Sequence, residues 1–155
     1  LSLNKCNLGK TAVFQQLAQD MKYLSELTVL NLEGNGLETQ VSWLSQILNH
    51  LEFLQTLNLS ENDLEDESLL KVMENLRTEA LETVIISYNK VKMVETAKDI
   101  IDKMLQKKRL TSLDLRHNSF RVPHLLQMLK EFSANIEEET EVSATIRINQ
   151  LVMYL

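Results

Sequence analysis

Residues 27–37 read Leu27-Thr28-Val29-Leu30-Asn31-Leu32-Glu33-Gly34-Asn35-Gly36-Leu37, and the pattern Leu-x-x-Leu-x-Leu-x-x-Asn-x-Leu inside them decides the fold because it returns. It recurs as Leu54-x-x-Leu57-x-Leu59-x-x-Asn62-x-Leu64, then as Leu81-x-x-Val84-x-Ile86-x-x-Asn89-x-Val91, then as Leu110-x-x-Leu113-x-Leu115-x-x-Asn118-x-Phe120. The Asn of each copy, Asn35, Asn62, Asn89 and Asn118, thus returns at a nearly constant interval. A shortened copy opens the chain as Leu1-x-Leu3-x-x-Cys6-x-Leu8, with Cys6 in the Asn position one repeat before Asn35. A period of this size marks a stack of similar supersecondary units, each needing its neighbours to bury its apolar face.

Each copy carries two periods. Around Leu30/Leu32, Leu57/Leu59, Val84/Ile86 and Leu113/Leu115 the apolar residues alternate, which predicts a short strand with one buried face. The Asn that follows stands where the chain leaves the strand, and its amide can satisfy backbone groups orphaned by the turn, so stacked copies form a ladder. Cys6 offers only a weak donor and predicts a looser first rung.

Between strands the spacing becomes helical. The apolar stripes are Val13, Leu17, Met21, Leu24; Val41, Leu44, Leu48, Leu51; Leu69, Val72, Met73, Leu76; Val94, Ala97, Ile100, Met104; and Leu125, Met128, Leu129, Phe132. Parallel strands sit about 4.8 Å apart, whereas helices are about 10 Å across. A sheet of such strands backed by such helices therefore curves, with strands on the concave face and helices on the convex face.

These residues resemble the leucine-rich repeat family over residues 1 to about 133, and the 27 to 29 residue period is similar to its ribonuclease-inhibitor-like class. The resemblance implies an α/β leucine-rich-repeat solenoid, a horseshoe segment, and a non-catalytic role in protein binding. The expected organisation is a single domain over 1–155 of about five repeats plus a degenerate C-terminal strand, cut from a longer protein. That last strand is expected over Ser143–Asn149, with Ile146 and Ile148 as its buried pair. The acidic stretch containing Glu137, Glu138, Glu139 and Glu141 reads as a solvated turn or a docking loop for a basic partner.

The composition agrees: 29 of 155 residues are Leu, against 3 Gly and 1 Pro, so collagen-like and disordered classes are excluded. Apolar runs are too short for a membrane-spanning helix, and membrane insertion is not expected. The lone Cys6 points to a reducing compartment, cytoplasmic or alternatively nuclear. A net charge of −6 argues against nucleic acid as partner.

Residues flanking the buried pairs are expected on the concave face, and nearly all can hydrogen-bond. The candidate protein-binding set is Glu33, Asn58, Glu61, Tyr88, Asp114, Arg116, His117 and Arg147. Tyr88, Arg116, His117 and Arg147 are the expected anchors, since Tyr and Arg concentrate interface energy. With Glu33, Glu61 and Glu82 towards the other end, the face is expected to grade from acidic to basic.

Catalysis is not expected. Ser87, Asp114 and His117 could be drawn as a triad, but they would lie on an open face without an oxyanion hole. No metal or cofactor is expected either, since His50, His117, His124 and Cys6 show no ligand spacing. The acidic block Glu61 to Glu67 at a helix start and the basic block Lys103 to Arg109 at a helix end suit the helix dipole. Trp43 is expected to pack between repeats. The leading functional expectation is a module that binds a protein. The alternatives are a regulator of an enzyme such as a small GTPase, or a structural or autoinhibitory segment contacting other domains of the parent protein.

Overall fold

A computed structural model describes residues 1–10, 12–130, 145–148 and 151–155, with the backbone alone at 128–130, 145–148 and 151. Strand and helix alternate: α1 (Val13–Asp20), β1 (Val29–Asn31), α2 (Val41–His50), β2 (Thr56–Asn58), α3 (Asp66–Glu74), β3 (Thr83–Ile85), α4 (Val94–Leu105), β4 (Ser112–Asp114) and α5 (Val122–Lys130), then β5 (Thr145–Ile148) and β6 (Leu151–Tyr154). The sheet order is β1-β2-β3-β4-β6-β5. The first four strands are parallel and pair repeat position with repeat position, Leu30 beside Leu57, Leu57 beside Val84, Val84 beside Leu113. This is the α/β solenoid that the period predicts. Ser2 adds a bridge to Asn31 on the other side of β1.

The repeat leucines build one continuous core. Leu30, Leu32, Leu57, Leu59, Val84, Ile86, Leu113 and Leu115 are all inaccessible to solvent. They join Leu44, Ile47, Leu48, Leu69, Val72, Ala97, Ile100, Ile101 and Leu125 from the helices. Trp43 is half-buried and packs on this core. The α1 stripe is rotated by about one residue from expectation: Phe14, Ala18 and Met21 are buried, while Val13 and Leu24 are exposed. Only one long face of an eight-residue helix touches the core. Phe14 rather than Val13 supplies the larger apolar area to it.

The Asn ladder forms at every full repeat. Asn62 Nδ2 donates to the carbonyls of Leu32, Leu59 and Ser60, and Asn62 Oδ1 accepts the Asn35 amide at 3.0 Å. Asn89 repeats this one unit on, accepting from the Asn62 and Leu64 amides and donating to Leu59, Ile86 and Ser87. Asn35 accepts from the Cys6 and Leu8 amides, and Asn118 accepts from Val91. Cys6 contributes no rung: it is exposed and its thiol reaches only the Asn4 carbonyl at 3.4 Å.

The C-terminal strand departs from expectation. β6, not the Thr145–Ile148 strand, lies parallel to β4, with Met153 beside Leu113 and Tyr154 beside Asp114. β5 pairs antiparallel to β6 at the outer edge. Two residues separate the two strands, and a connection that short can only reverse the chain. One strand of the pair must therefore run against the repeat direction. Met153 and Leu155 are buried and continue the rows of Leu113 and Leu115. The acidic segment around Glu137 to Glu141 lies outside the described residues.

Candidate functional site

The residue before each ladder position has a left-handed backbone: Lys5 (φ 54°), Gly34 (68°), Glu61 (55°), Tyr88 (54°) and His117 (55°). Only Gly adopts this conformation without steric cost. Its recurrence in five consecutive units shows that the turn out of the strand demands it. The backbone stays in register through the turn, with amide-to-carbonyl bonds Lys5 to Glu33, Gly34 to Ser60, Glu61 to Ser87 and Tyr88 to Arg116. Side chains at this position therefore stand in a column along the rim of the concave face, separated by about the strand spacing of 4.8 Å.

That spacing makes neighbours of residues a whole repeat apart in sequence. The Tyr88 and His117 rings stack with centroids 4.1 Å apart and planes 18° from parallel. Towards the N-terminal end, Gly34 has no side chain to fill its place in the column, so Lys5 lies across it. A Cβ on Gly34 would meet Lys5 Cγ at 2.8 Å. Lys5 Nζ thereby reaches Glu33 Oε1 at 3.6 Å and Glu61 Oε2 at 3.4 Å. The hydrogen bond and charge of Glu61, then the charge of Glu33, hold the Lys5 ammonium above the usual lysine range. Glu33 also accepts from Asn58 Nδ2 at 3.2 Å.

At the other end, Asp114 organises Arg116. Its Oδ1 accepts the Arg116 amide at 3.1 Å and Nε at 3.0 Å, and its Oδ2 accepts Nη2 at 2.8 Å. The Asp114 hydrogen bond pushes the guanidinium further above its ordinary value, against partial burial. The guanidinium carbon also lies 5.3 Å from the centre of the Tyr154 ring, a cation over an aromatic face. Arg116 is thus held on two sides while half its side chain remains exposed.

Seven of the eight expected residues are placed. Tyr88, Asp114, Arg116 and His117 form one cluster, and Glu33, Asn58 and Glu61 a second, in which Lys5 joins Glu33 to Glu61 and Asn58 donates to Glu33. The side chain of Arg147 lies outside the described residues, and its strand is at the sheet edge beyond β6. The acidic-to-basic gradient is blunted, because Lys5 sits among the acids and Asp114 neutralises Arg116. Asp114 gives both oxygens to Arg116 and His117 lies against Tyr88, so Ser87, Asp114 and His117 make no proton relay. Two residues of the site lie outside the expected binding set: Lys5, expected on the concave face but with a reach that depends on the empty Gly34 place, and Tyr154, which the pairing of β6 with β4 brings beside Asp114.

Models of the leucine-rich repeat match residues 50–73 and residues 109–129. The chain is built of leucine-rich repeats. Repeats of this kind are in general non-catalytic modules of protein interaction. No curated protein sequence matches the chain. Among solved structures this leucine-rich-repeat chain is similar to Leiomodin-1 Actin-Binding Site 2, with a TM-score of 0.63 at 15% identity over 78% of this chain and 75% of that one. That likeness is one of fold. Among the described residues, no helix is long and apolar enough to cross a membrane.

Proposed function

We propose that this leucine-rich-repeat chain is a non-catalytic recognition module that binds a protein partner through the C-terminal half of its concave face and rim. The observation that carries this reading is the cluster of Tyr88 stacked on His117 beside Arg116 held between Asp114 and Tyr154. Tyr88 is 54% exposed, yet its ring is fixed on one face. Arg116 has unused donors in a guanidinium that is already oriented. Aromatic and Arg side chains ordered before binding lose little entropy on contact and concentrate interface energy. Asn58, Glu61 and Asp114, which a regulator of a GTPase would present to its partner, each have a bond within the chain, which favours the aromatic and Arg cluster as the contact. The helical connections and the regular repeat period support a ribonuclease-inhibitor-like subclass, and the lone Cys6 supports a cytoplasmic setting.

A photo-crosslinking amino acid placed at position 88, at 154, and at exposed position 46 on the helical face tests the contact surface. Adducts are expected from 88 and 154; adducts from 46 alone would move the interface to the convex face. The name of the similar fold makes purified actin the first defined probe. With any partner so found, replacing Tyr88 and Arg116 by Ala together is expected to weaken binding by about tenfold or more, roughly 1.4 kcal/mol. Tyr88→Ala alone should leave the melting temperature unchanged because that side chain is exposed, whereas the loss of Arg116 strips the buried Asp114 of its ion pair and should lower it.

A further inference from the structure

On the flank where the helices begin, carboxylates of the chain itself join consecutive repeats. Between α2 and α3, Glu38 accepts the Glu65 amide at 3.0 Å and the Ser68 hydroxyl. Between α3 and α4, Asp66 accepts the Lys92 amide at 3.2 Å and the Met93 amide at 3.0 Å. The physical reason is general: amides at a helix start lack intrahelical acceptors and favour negative charge. Two successive grooves of this solenoid therefore hold an anion, supplied from within.

The next groove, between α4 and α5, is equipped the other way. One repeat after Glu65 and Asp66 stand Lys92 and Met93, so the repeat that should supply a carboxylate supplies a cation and a thioether. Lys92, Ser119, Arg121 and His124 line an open groove of about 470 Å³. Among the described residues no carboxylate bridges this groove, and neither Lys92 nor Arg121 forms a side-chain ion pair. Glu95, also in the lining, makes no hydrogen bond to α5 among those residues.

We propose that this groove binds a phosphorylated side chain of a protein partner. The lining of the groove offers an ammonium, a planar guanidinium, an imidazole and a hydroxyl, from residues of both repeats. A tetrahedral phosphate monoester has three charged oxygens to share among them, whereas a carboxylate has two. The groove is far larger than a phosphate group and leaves room for the residues that flank it in a peptide. Glu95 is the one opposing charge in the lining and lowers the affinity of any anion there. None of Tyr88, Arg116, His117 or Tyr154 lines this groove, so the proposal stands or falls apart from the concave contact.

The test is a titration of the whole chain, followed by amide resonances at fixed ionic strength. The probes are Gly-phosphoserine-Gly, Gly-Ser-Gly, Gly-Glu-Gly and inorganic phosphate. Saturable shifts centred on residues 92–96 and 119–125 are expected, tightest with the phosphopeptide and undetected with Gly-Ser-Gly. Lys92→Gln and Arg121→Gln should each weaken phosphopeptide binding by about tenfold, the usual scale for a lost charge-assisted bond. Glu95→Gln should strengthen it. All three side chains are exposed, and an unchanged melting temperature certifies each variant. Equal affinity for Gly-Glu-Gly would overturn the choice of phosphate. Inorganic phosphate binding as tightly as the peptide would overturn the assignment to a protein side chain. Shifts indifferent to all three substitutions would remove the site altogether.

Discussion

Replacing Asn62 by Ala measures what the ladder contributes. Asn62 is fully buried, and its amide makes four bonds to backbone groups of its own and the preceding repeat. The four losses are unequal. The Leu32 carbonyl keeps Asn35 Nδ2 at 2.8 Å, the Leu59 carbonyl keeps Asn89 Nδ2 at 3.0 Å, and the Ser60 carbonyl keeps the Gly34 amide at 3.0 Å. Each of these loses its second partner, at roughly 0.5 kcal/mol apiece, the low end for a hydrogen bond. Among the described residues the Asn35 amide has no other acceptor, so it becomes a buried orphan, at about 1–3 kcal/mol. Together with the small space left behind, Asn62→Ala should destabilise by about 3–5 kcal/mol. Urea unfolding followed by circular dichroism reads this as a lower midpoint at unchanged slope, and the melting temperature should fall by roughly 6–20 °C. The half-buried Asn58 is the control, since Asn58→Ala loses bonds at the exposed side of the sheet and should cost about 1 kcal/mol. A loss for Asn62→Ala no greater than that for Asn58→Ala would refute the claim that the ladder joins the repeats.

Three further outcomes follow from single contacts. Gly9→Ala would put a Cβ 1.9 Å from the Gly36 carbonyl oxygen, so the first repeat must shift and about 2 kcal/mol or more should be lost in the same urea assay. Met153→Ala should cost about 2–5 kcal/mol, because Met153 is fully buried beside Leu113; a loss under ~1 kcal/mol would mean that β6 does not continue the core. For Lys5, the raised ammonium pKa means that the protonated form is favoured in the folded chain. Its ion pairs therefore contribute below the ordinary lysine range and are lost as pH rises through the folded value. Glu61→Gln should bring the Lys5 titration, followed by NMR of its side chain, down towards the ordinary value, and an unmoved titration would show that Glu61 is not its partner.

The repeat made most of the fold legible. Positions such as Leu57, Leu59 and Asn62 are dictated by local period, and every copy repeats the same instruction, so errors in one copy are corrected by the others. Where copies differ from one another, reading was harder. In α1 the helical spacing put Val13 inward, whereas the folded chain buries Phe14 and leaves Val13 exposed. At the C-terminal end, the alternation at Ile146 and Ile148 was read as the last strand, but alternation is the same in a parallel and an antiparallel strand, and the continuously apolar Leu151–Tyr154 strand takes the place beside β4. At the candidate site, the residue types were readable, since Tyr88, Arg116 and His117 follow from the strand register. Their charge state as a surface was not, because Lys5 and Glu61 stand two repeats apart in the chain and meet only across the missing side chain of Gly34.

By itself, then, the amino-acid sequence determined the architecture: a strand, an Asn turn and a helix, repeated at a nearly constant period, can bury their leucines only by stacking. Only the tertiary structure decided what that stack presents. Stacking brings residues one repeat apart to within a strand spacing, so it sets which rings stack, which charges cancel and which groove is left without its carboxylate. Those are contacts between copies, and no single copy encodes them.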